Sequence, residues 1–149
     1  MDSSTNRSVA LLSIRPEYVK RILNGSKRVE FRKTRISSEL KYVVVYCTSP
    51  IKRIVAFFKV AAVVEGVPGS IWSQYRKVAG VPYAFYKDYF GNSHHAVAIE
   101  VEEVFPLASP IRLHDLDDML SPPQSFQYLP ESCIAVLWRC TAISERNHA

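Results

Sequence analysis

ALLSIRPEYVKRILNGSKRVEFRK, residues 10–33, decides how the whole chain is read. Residues 10–14 are apolar enough for a buried strand. Arg15-Pro16 stops it, because proline has no amide hydrogen for a sheet ladder while its fixed φ suits the first position of a helix. Glu17 then places a negative charge at the positive end of the helix dipole. Tyr18, Val19, Ile22 and Leu23 recur at helical spacing, Lys20 and Arg21 fall on the other face, and Asn24-Gly25 ends the helix. Strand alternation resumes over residues 27–33, with Lys27, Val29, Phe31 and Lys33 on one side and Arg28, Glu30 and Arg32 on the other. This pattern predicts a glutamate flanked by two guanidinium groups on its own face. Strand, helix and charged strand follow one another without a linker, which points to an α+β unit with an anion-facing site.

With 149 residues and 48% hydrophobic content, the chain can bury a core without disulfides or metals. Residues 1–8 and 144–149 are polar and aperiodic, so they are expected to be flexible termini around one domain of residues 9–143. No apolar run reaches spanning length and none follows a basic start, which predicts a soluble, cytoplasmic protein without a membrane partner. Cys47, Cys133 and Cys140 are odd in number and irregularly spaced, as reduced thiols are. No C-x-x-C pair supports the four histidines, and the five glycines do not have the spacing of a phosphate cradle. Neither a metal nor a cofactor is expected.

Charge is unevenly distributed along the chain. Residues 1–59 hold 13 of the 19 Lys and Arg but 4 of the 14 Asp and Glu, a balance of +9 that leaves −4 for residues 60–149. Such segregation suits a phosphate or nucleic-acid face, and it also suits a basic surface kept for solubility. The acidic second half offers a docking surface for a protein partner as a third reading.

Beyond the opening unit, residues 42–47 read as a central strand ended by Thr48-Ser49-Pro50. Residues 54–64 form a β run long enough to bend across a barrel corner. Ser70 is an expected N-cap for a helix through Trp72, Tyr75 and Val78, stopped by Gly80, and residues 82–90 suit a second helix closed by Gly91. Residues 96–105 return to strand character, 111–113 read as a brief further strand, and 114–119 as a turn or one-turn helix. Residues 121–128 read as a polar and aromatic loop, and 133–139 as the closing strand. The expected fold is α+β: a small mixed, partly closed β-barrel of five to six strands with two to three helices.

Ser13-Ile14-Arg15-Pro16, the helix ending at Gly25, and the G-x-K-x-x-E-x-R element of Gly25, Lys27, Glu30 and Arg32 together resemble the opening of ASCH domains in the PUA-like superfamily. Y-C-T-S-P at 46–50, Val64-Glu65-Gly66, the helix with Trp72, Phe90-Gly91 and P-P-Q-S-F at 122–126 are similar to a microbial branch of that family assigned to transcription regulation. The resemblance covers nearly the whole chain. It implies a PUA-like barrel with a cleft beside the first helix. RNA or a modified nucleoside is the implied ligand, with DNA as a further possibility.

The candidate ligand contacts are Arg15, Lys27, Glu30, Arg32, Ser49, Gln124, Ser125, Phe126 and Tyr128. Arginine suits bidentate phosphate contacts or stacking on a base, and Glu30 can accept from a base amino edge or orient its arginines. Trp72, Tyr75, Tyr83, Phe85, Tyr86, Tyr89, Phe126 and Tyr128 are the aromatic candidates for base stacking; most belong to the core, and Phe126 and Tyr128 are the two expected over the cleft. Arg32 and Phe126 are therefore expected to be removable without loss of stability, and Glu30→Gln to leave the fold intact. Ser49 and Ser125 offer hydroxyls at loop positions. The adjacent pair His94-His95 faces opposite ways on a strand, which argues against a joint role. Some ASCH proteins resemble amidohydrolases acting on acylated cytidine, in which a lysine on the G-x-K element partners a threonine three positions later. Here that position is Glu30, leaving Lys27 and Glu30 as catalytic candidates, the glutamate as general base and the lysine as oxyanion stabiliser. A metal-free ribonuclease is the other enzymatic alternative.

Overall fold

The computed structural model, which describes residues 6–142, buries strand β1 (Val9–Ile14) on both faces, as its unbroken apolar run requires. Arg15 is extended and Pro16 opens helix α1 (Pro16–Leu23), after which Gly25, at φ +86°, turns the chain into strand β2 (Val29–Arg32). Strands β3 (Tyr42–Cys47) and β4 (Arg53–Gly66) follow. Helix α2 (Pro68–Tyr75), a tight helical turn at 76–78 and helix α3 (Tyr83–Phe90) lead to strand β5 (Ala96–Ile111). Helix α4 (Leu113–Leu116), strand β6 (Phe126–Tyr128) and helix α5 (Ser132–Arg139) complete the described chain.

The six strands form one mixed sheet in the order β2-β5-β4-β3-β1-β6, in which only β1 and β3 run parallel. The long β4–β5 ladder slips register near Ile54, Lys59 and Val60, and each slip adds bend and twist, so the sheet curls into a half-barrel. Its outermost strands are thereby brought towards each other. Arg32 of β2 donates to the Ser13 carbonyl of β1 at 2.9 Å and to the Ser125 carbonyl ahead of β6 at 3.0 Å, and the Tyr128 hydroxyl accepts the Ser37 N–H at 3.0 Å. Side chains, not a backbone ladder, close the seam.

The curl defines an inside and an outside. Inside, Leu12, Val45, Phe58 and Ile99 meet Tyr18, Val19 and Ile22 of α1. On one outer face Leu11, Val44 and Phe57 lie under Leu113, Leu120 and Leu137; on the other, Val29, Phe31 and Ala98 lie under Ile71, Tyr86 and Phe90.

This is the expected fold class, with some elements placed differently. Residues 133–139 are helical rather than a closing strand. A short apolar run suits either state, and burial settles it: Leu137 is fully buried with Cys133 and Ile134 beside the same cluster, whereas Val136 and Trp138 are 40% and 41% exposed. Residues 111–113 are not a separate strand, because β5 runs on to Ile111 and Leu113 opens α4. The first α2 residue is Pro68 rather than one beyond a Ser70 cap, proline being well suited to that position. Residues 126–128 of the expected loop form an edge strand on β1, whose ladder would otherwise end in unpaired groups. These additions bring the helices among the described residues to five. Ser8, assigned above to a flexible terminus, is buried and bonded to Glu131 at 2.6 Å, while residues 1–5 and 143–149 lie outside the described residues.

Helical burial in α5 makes a checkable difference between neighbouring positions. Leu137→Ala should lower unfolding free energy by about 2–5 kcal/mol, and Val136→Ala by less than about 1 kcal/mol, as measured by urea denaturation.

Candidate nucleic-acid cleft

Three charged side chains are buried together where α1, β2 and the turn after α2 meet. Lys27, Glu30 and Arg32 are 1%, 7% and 7% exposed. Arg32 gives two bonds to Glu30 Oε2, from Nη2 at 2.7 Å and from Nε at 3.2 Å, besides its two carbonyl bonds across the seam. Lys27 Nζ lies 3.7 Å from Glu30 Oε1, donates to the Ala79 carbonyl at 2.7 Å, and stands 5.1 Å and 5.8 Å from the ring centres of Phe31 and Tyr18. Burial pushes the Lys27 ammonium below its usual pKa, Glu30 opposes this and Arg32 adds to it. Two cations around one carboxylate leave the site net positive.

Gly80 makes room for the lysine. It has φ +66°, and a Cβ there would come within 2.4 Å of the Lys27 Cβ, so the chain passes directly over the lysine stem. Arg21 secures this crossing by donating to the Gly80 carbonyl at 2.7 Å.

The partner of Glu30 differs from the one expected. Arg28, placed by strict alternation on the face of Glu30, is exposed and donates to the Glu102 carbonyl at 2.9 Å, while Lys27 takes the position beside the carboxylate. Alternation holds only within a strand, and β2 begins at Val29; the Arg28 N–H is bound to the Val78 carbonyl in the helical turn after α2.

Above the buried charges lies a cleft of about 210 Å³. Lys27, Glu30 and Arg32 line it, with Tyr18, Phe85 and Tyr89 as aromatic walls and Arg15 and Gln124 exposed at its edge. The Arg15 guanidinium stands 5.1 Å from the centre of the Phe85 ring and makes no ion pair among the described residues. Lys33 lies 4.9 Å over Tyr89. Such a site can stack a planar group on its walls while drawing an anion to Arg15.

The structure thus gathers Arg15, Lys27, Glu30, Arg32 and Gln124 into one cleft, and Ser125 joins through its carbonyl on Arg32. Ser49 is exposed in the turn after β3 and does not line the cleft. Phe126 and Tyr128 are half-buried, pack 5.2 Å apart against the interior cluster, and lie outside the cleft lining. As residues i and i+2 of an edge strand they share its inward face. Ser13, Tyr18 and Gly80 were not among the candidate site residues of the sequence reading. Tyr18 carried one signal, its position in the first turn after Arg15-Pro16; the contact of Gly80 with Lys27 depends on packing between distant segments and left none. Of the paired histidines, His95 lies between Glu65 at 2.7 Å and the Lys33 carbonyl at 3.1 Å, which together raise its pKa, while His94 is exposed on its own.

A curled half-barrel with a cationic cleft beside its first helix is the PUA-like arrangement, and comparison with known proteins places the chain within it. The ASCH domain signature spans residues 12–105, and the chain belongs to the ASCH domain family. An ASCH domain-containing ribonuclease of Zymomonas mobilis is 32% identical over 133 residues, 87% of this chain and 89% of that protein. The crystal structure of ASCH from Zymomonas mobilis superposes with a TM-score of 0.80 at 30% identity, covering 92% of this chain and 98% of the other; the same protein has also been solved with a serine replaced by alanine and with a tyrosine replaced by phenylalanine. The N-terminal domain of Staphylothermus marinus McrB shares the fold, with a TM-score of 0.51 at 8% identity over 88% of this chain and 93% of that domain.

Two measurements test the buried site. Glu30→Gln strands two buried cations and should cost about 3–5 kcal/mol in urea unfolding, whereas Arg28→Ala should stay within about 0.5 kcal/mol of the parent. Burial raises the pKa of Tyr18, Tyr75, Tyr86 and Tyr89, that of Tyr86 to about 12. Unfolded tyrosines ionise near pH 10.0 while the folded ones keep their protons, so this stability is complete below pH 10.0 and is lost as pH rises towards 12. Thermal midpoints across that range should fall as tyrosinate absorbance appears.

Proposed function

We propose that this ASCH domain binds single-stranded RNA in the cytoplasm, with an unpaired base against the aromatic wall of Phe85 and Tyr89 and its phosphate on Arg15. The observation that carries this reading is a carboxylate neutralised by two cations beneath aromatic walls, with an arginine at the edge that has no acidic partner among the described residues. Aromatic walls serve any base, and single-stranded RNA leaves its bases free to enter such a cleft. The likeness to a relative named a ribonuclease favours RNA over DNA as the polymer. The amidohydrolase reading gains nothing from the geometry, because Glu30 holds Arg32 and Lys27 where that mechanism needs a free hydroxyl.

A second reading, cleavage of the bound RNA, is favoured by 32% identity to that ribonuclease over most of both chains. In such a reaction the ribose 2′-oxygen attacks the adjacent phosphorus, the P–O5′ bond breaks, one proton leaves the 2′-hydroxyl and another reaches the departing 5′-oxygen. The products are a 2′,3′-cyclic phosphate and a 5′-hydroxyl. One hydroxyl-bearing residue meets the buried charges at the seam, Ser125, whose carbonyl holds Arg32; Tyr46, in register with Ser13, is buried with Leu11, Val44 and Phe57 on the outer face. The serine and tyrosine variants solved for the Zymomonas mobilis protein support looking at hydroxyls. Arg15 would balance charge on the phosphate, and Lys27, whose charged form is destabilised by burial, is the candidate proton acceptor.

Titration of a labelled single-stranded oligoribonucleotide at several salt concentrations tests binding. Affinity should fall steeply with salt, and Arg15→Ala should weaken it and flatten the log–log slope by about one; affinity independent of salt would defeat the reading. For cleavage, Ser125→Ala should slow turnover by about a hundredfold while binding persists. A substrate lacking the 2′-hydroxyl at the cut position should resist, and its cleavage at the parent rate would rule the mechanism out.

A further inference from the structure

The aromatic residues of α3 serve two faces. Phe85 and Tyr89, four positions apart, line the cleft, while Tyr83 and Lys87, also four apart, line a groove of about 340 Å³ between α3 and α2. Tyr86 lies between them and borders both cavities. The cleft and the groove are thus separated by one helix, about 10 Å across.

The groove is built for a flat, electron-rich group. Tyr83 is 53% exposed and meets the half-buried Trp72 at 5.2 Å and 51°, an open wedge rather than a closed stack. Trp72 is held from behind by Tyr86 at 4.8 Å, and Tyr86 is fixed in turn by donating its hydroxyl to the Pro68 carbonyl at 2.7 Å. Beside the wedge Gly69 brings no side chain, and a Cβ built there would meet nothing within 4 Å. Lys87 supplies the single charge in the lining, which contains no carboxylate, and Arg76 and Lys77 are exposed just beyond the end of α2. A groove of this volume is at the lower end of small-ligand sites, the size a single nucleobase needs.

We propose that the α2–α3 groove is a second base subsite, in which a neighbouring nucleotide of the RNA strand held in the cleft stacks on Tyr83 and Trp72 with its phosphate near Lys87. The proposal rests on the RNA-binding reading above and adds to it a minimum ligand length and a direction of travel over α3. A lining whose single charge is the cationic Lys87 favours an anionic ligand, and its aromatic wedge favours a base over a peptide side chain. The wall shared through Tyr86 makes the occupant a continuation of the strand rather than an independent ligand.

The test uses Trp72 as its own reporter, in a Trp138→Phe background that leaves it the only tryptophan. Single-stranded oligoribonucleotides of increasing length and a mononucleotide are titrated against the parent, Tyr83→Ala and Lys87→Ala. The expected result is quenching of Trp72 by oligomers but not by the mononucleotide, with oligomer affinity lowered roughly tenfold by Tyr83→Ala. Mononucleotide affinity and the thermal midpoint should be unchanged by the same substitution, since Tyr83 is half exposed. Oligomers that bind the parent and Tyr83→Ala equally would overturn the second subsite and leave the cleft reading standing. Absence of oligomer binding to the parent at low salt would remove both. Quenching of Trp72 by a proline-rich peptide but not by oligomers would assign the groove to a protein partner and overturn the subsite as well.

Discussion

The half-barrel depends on one guanidinium group. A six-stranded sheet that curls this far brings its outermost strands near each other without the register for a backbone ladder, and an open edge of unpaired carbonyls is both unsatisfied and prone to foreign pairing. Arg32 resolves this by donating from β2 to carbonyls of the β1 and β6 segments at 2.9 and 3.0 Å. Only arginine offers donors in a planar fork wide enough to reach two backbone oxygens and a carboxylate at once. Its charge, 7% exposed, requires a buried counter-ion, and Glu30 two residues earlier on the same strand face supplies it at 2.7 Å. Closing the seam therefore places an ion pair inside the molecule. Lys27 is then drawn to the other carboxylate oxygen, and Gly80 is left without a side chain so that the lysine can enter.

Structure and ligand chemistry thus share residues. The floor of the cleft is the seam itself, and the positive charge left over from two cations and one carboxylate faces the opening. A site made this way is rigid, because each charged group is held by partners from several elements; Arg15 alone among the cleft cations remains exposed and unpaired by carboxylates among the described residues. The division is useful for a polymer ligand. Fixed charge sets the field, and an exposed arginine on an aromatic ring adapts to the phosphate.

How much of this could be read from residues alone follows the range of the interactions involved. The 10–33 unit was legible because its strand, helix and second strand are set by local rules: proline at a helix start, glycine at its end, alternation within β2. Glu30 and Arg32 were legible as a pair for the same reason, whereas alternation set Lys27 on the opposite face; their burial was not legible, since it comes from a seam joining residues 32, 13 and 125. Arg28 was misassigned because alternation was begun at residue 27, two residues ahead of the start of β2. Residues 133–139 illustrate a different limit. A short apolar run is compatible with strand or helix, and the choice falls to the outer face of the sheet, where Leu11, Val44 and Phe57 need a cover that Leu137 can provide. Phe126 and Tyr128 were placed over the cleft because a polar, proline-stiffened loop was read as free, whereas the exposed flank of β1 recruited them as an edge strand facing inward.

Charge segregation along the chain becomes segregation in space, and this orients a bound anion. The basic first part of the sequence supplies Arg15, Lys27 and Arg32, and in the cleft lining the only carboxylate is Glu30, already neutralised. The acidic second half is spent elsewhere: Glu102, Glu103, Asp115, Asp117 and Asp118 are exposed on β5 and around α4. A larger groove of about 730 Å³, on the outer face beneath α5, also offers aromatic surface in Phe57, Phe105 and Trp138, but its lining sets Glu103 and Glu131 against Lys41 and Lys59 and carries no net charge. Aromatic surface alone would make that groove the better stacking platform. A neutral lining draws a phosphate backbone less than a net positive one, so the field steers a nucleic acid to the smaller cleft and on to the carboxylate-free groove beyond α3. Size loses to sign, and the path of the ligand is fixed by where the acids were put as much as by where the bases are.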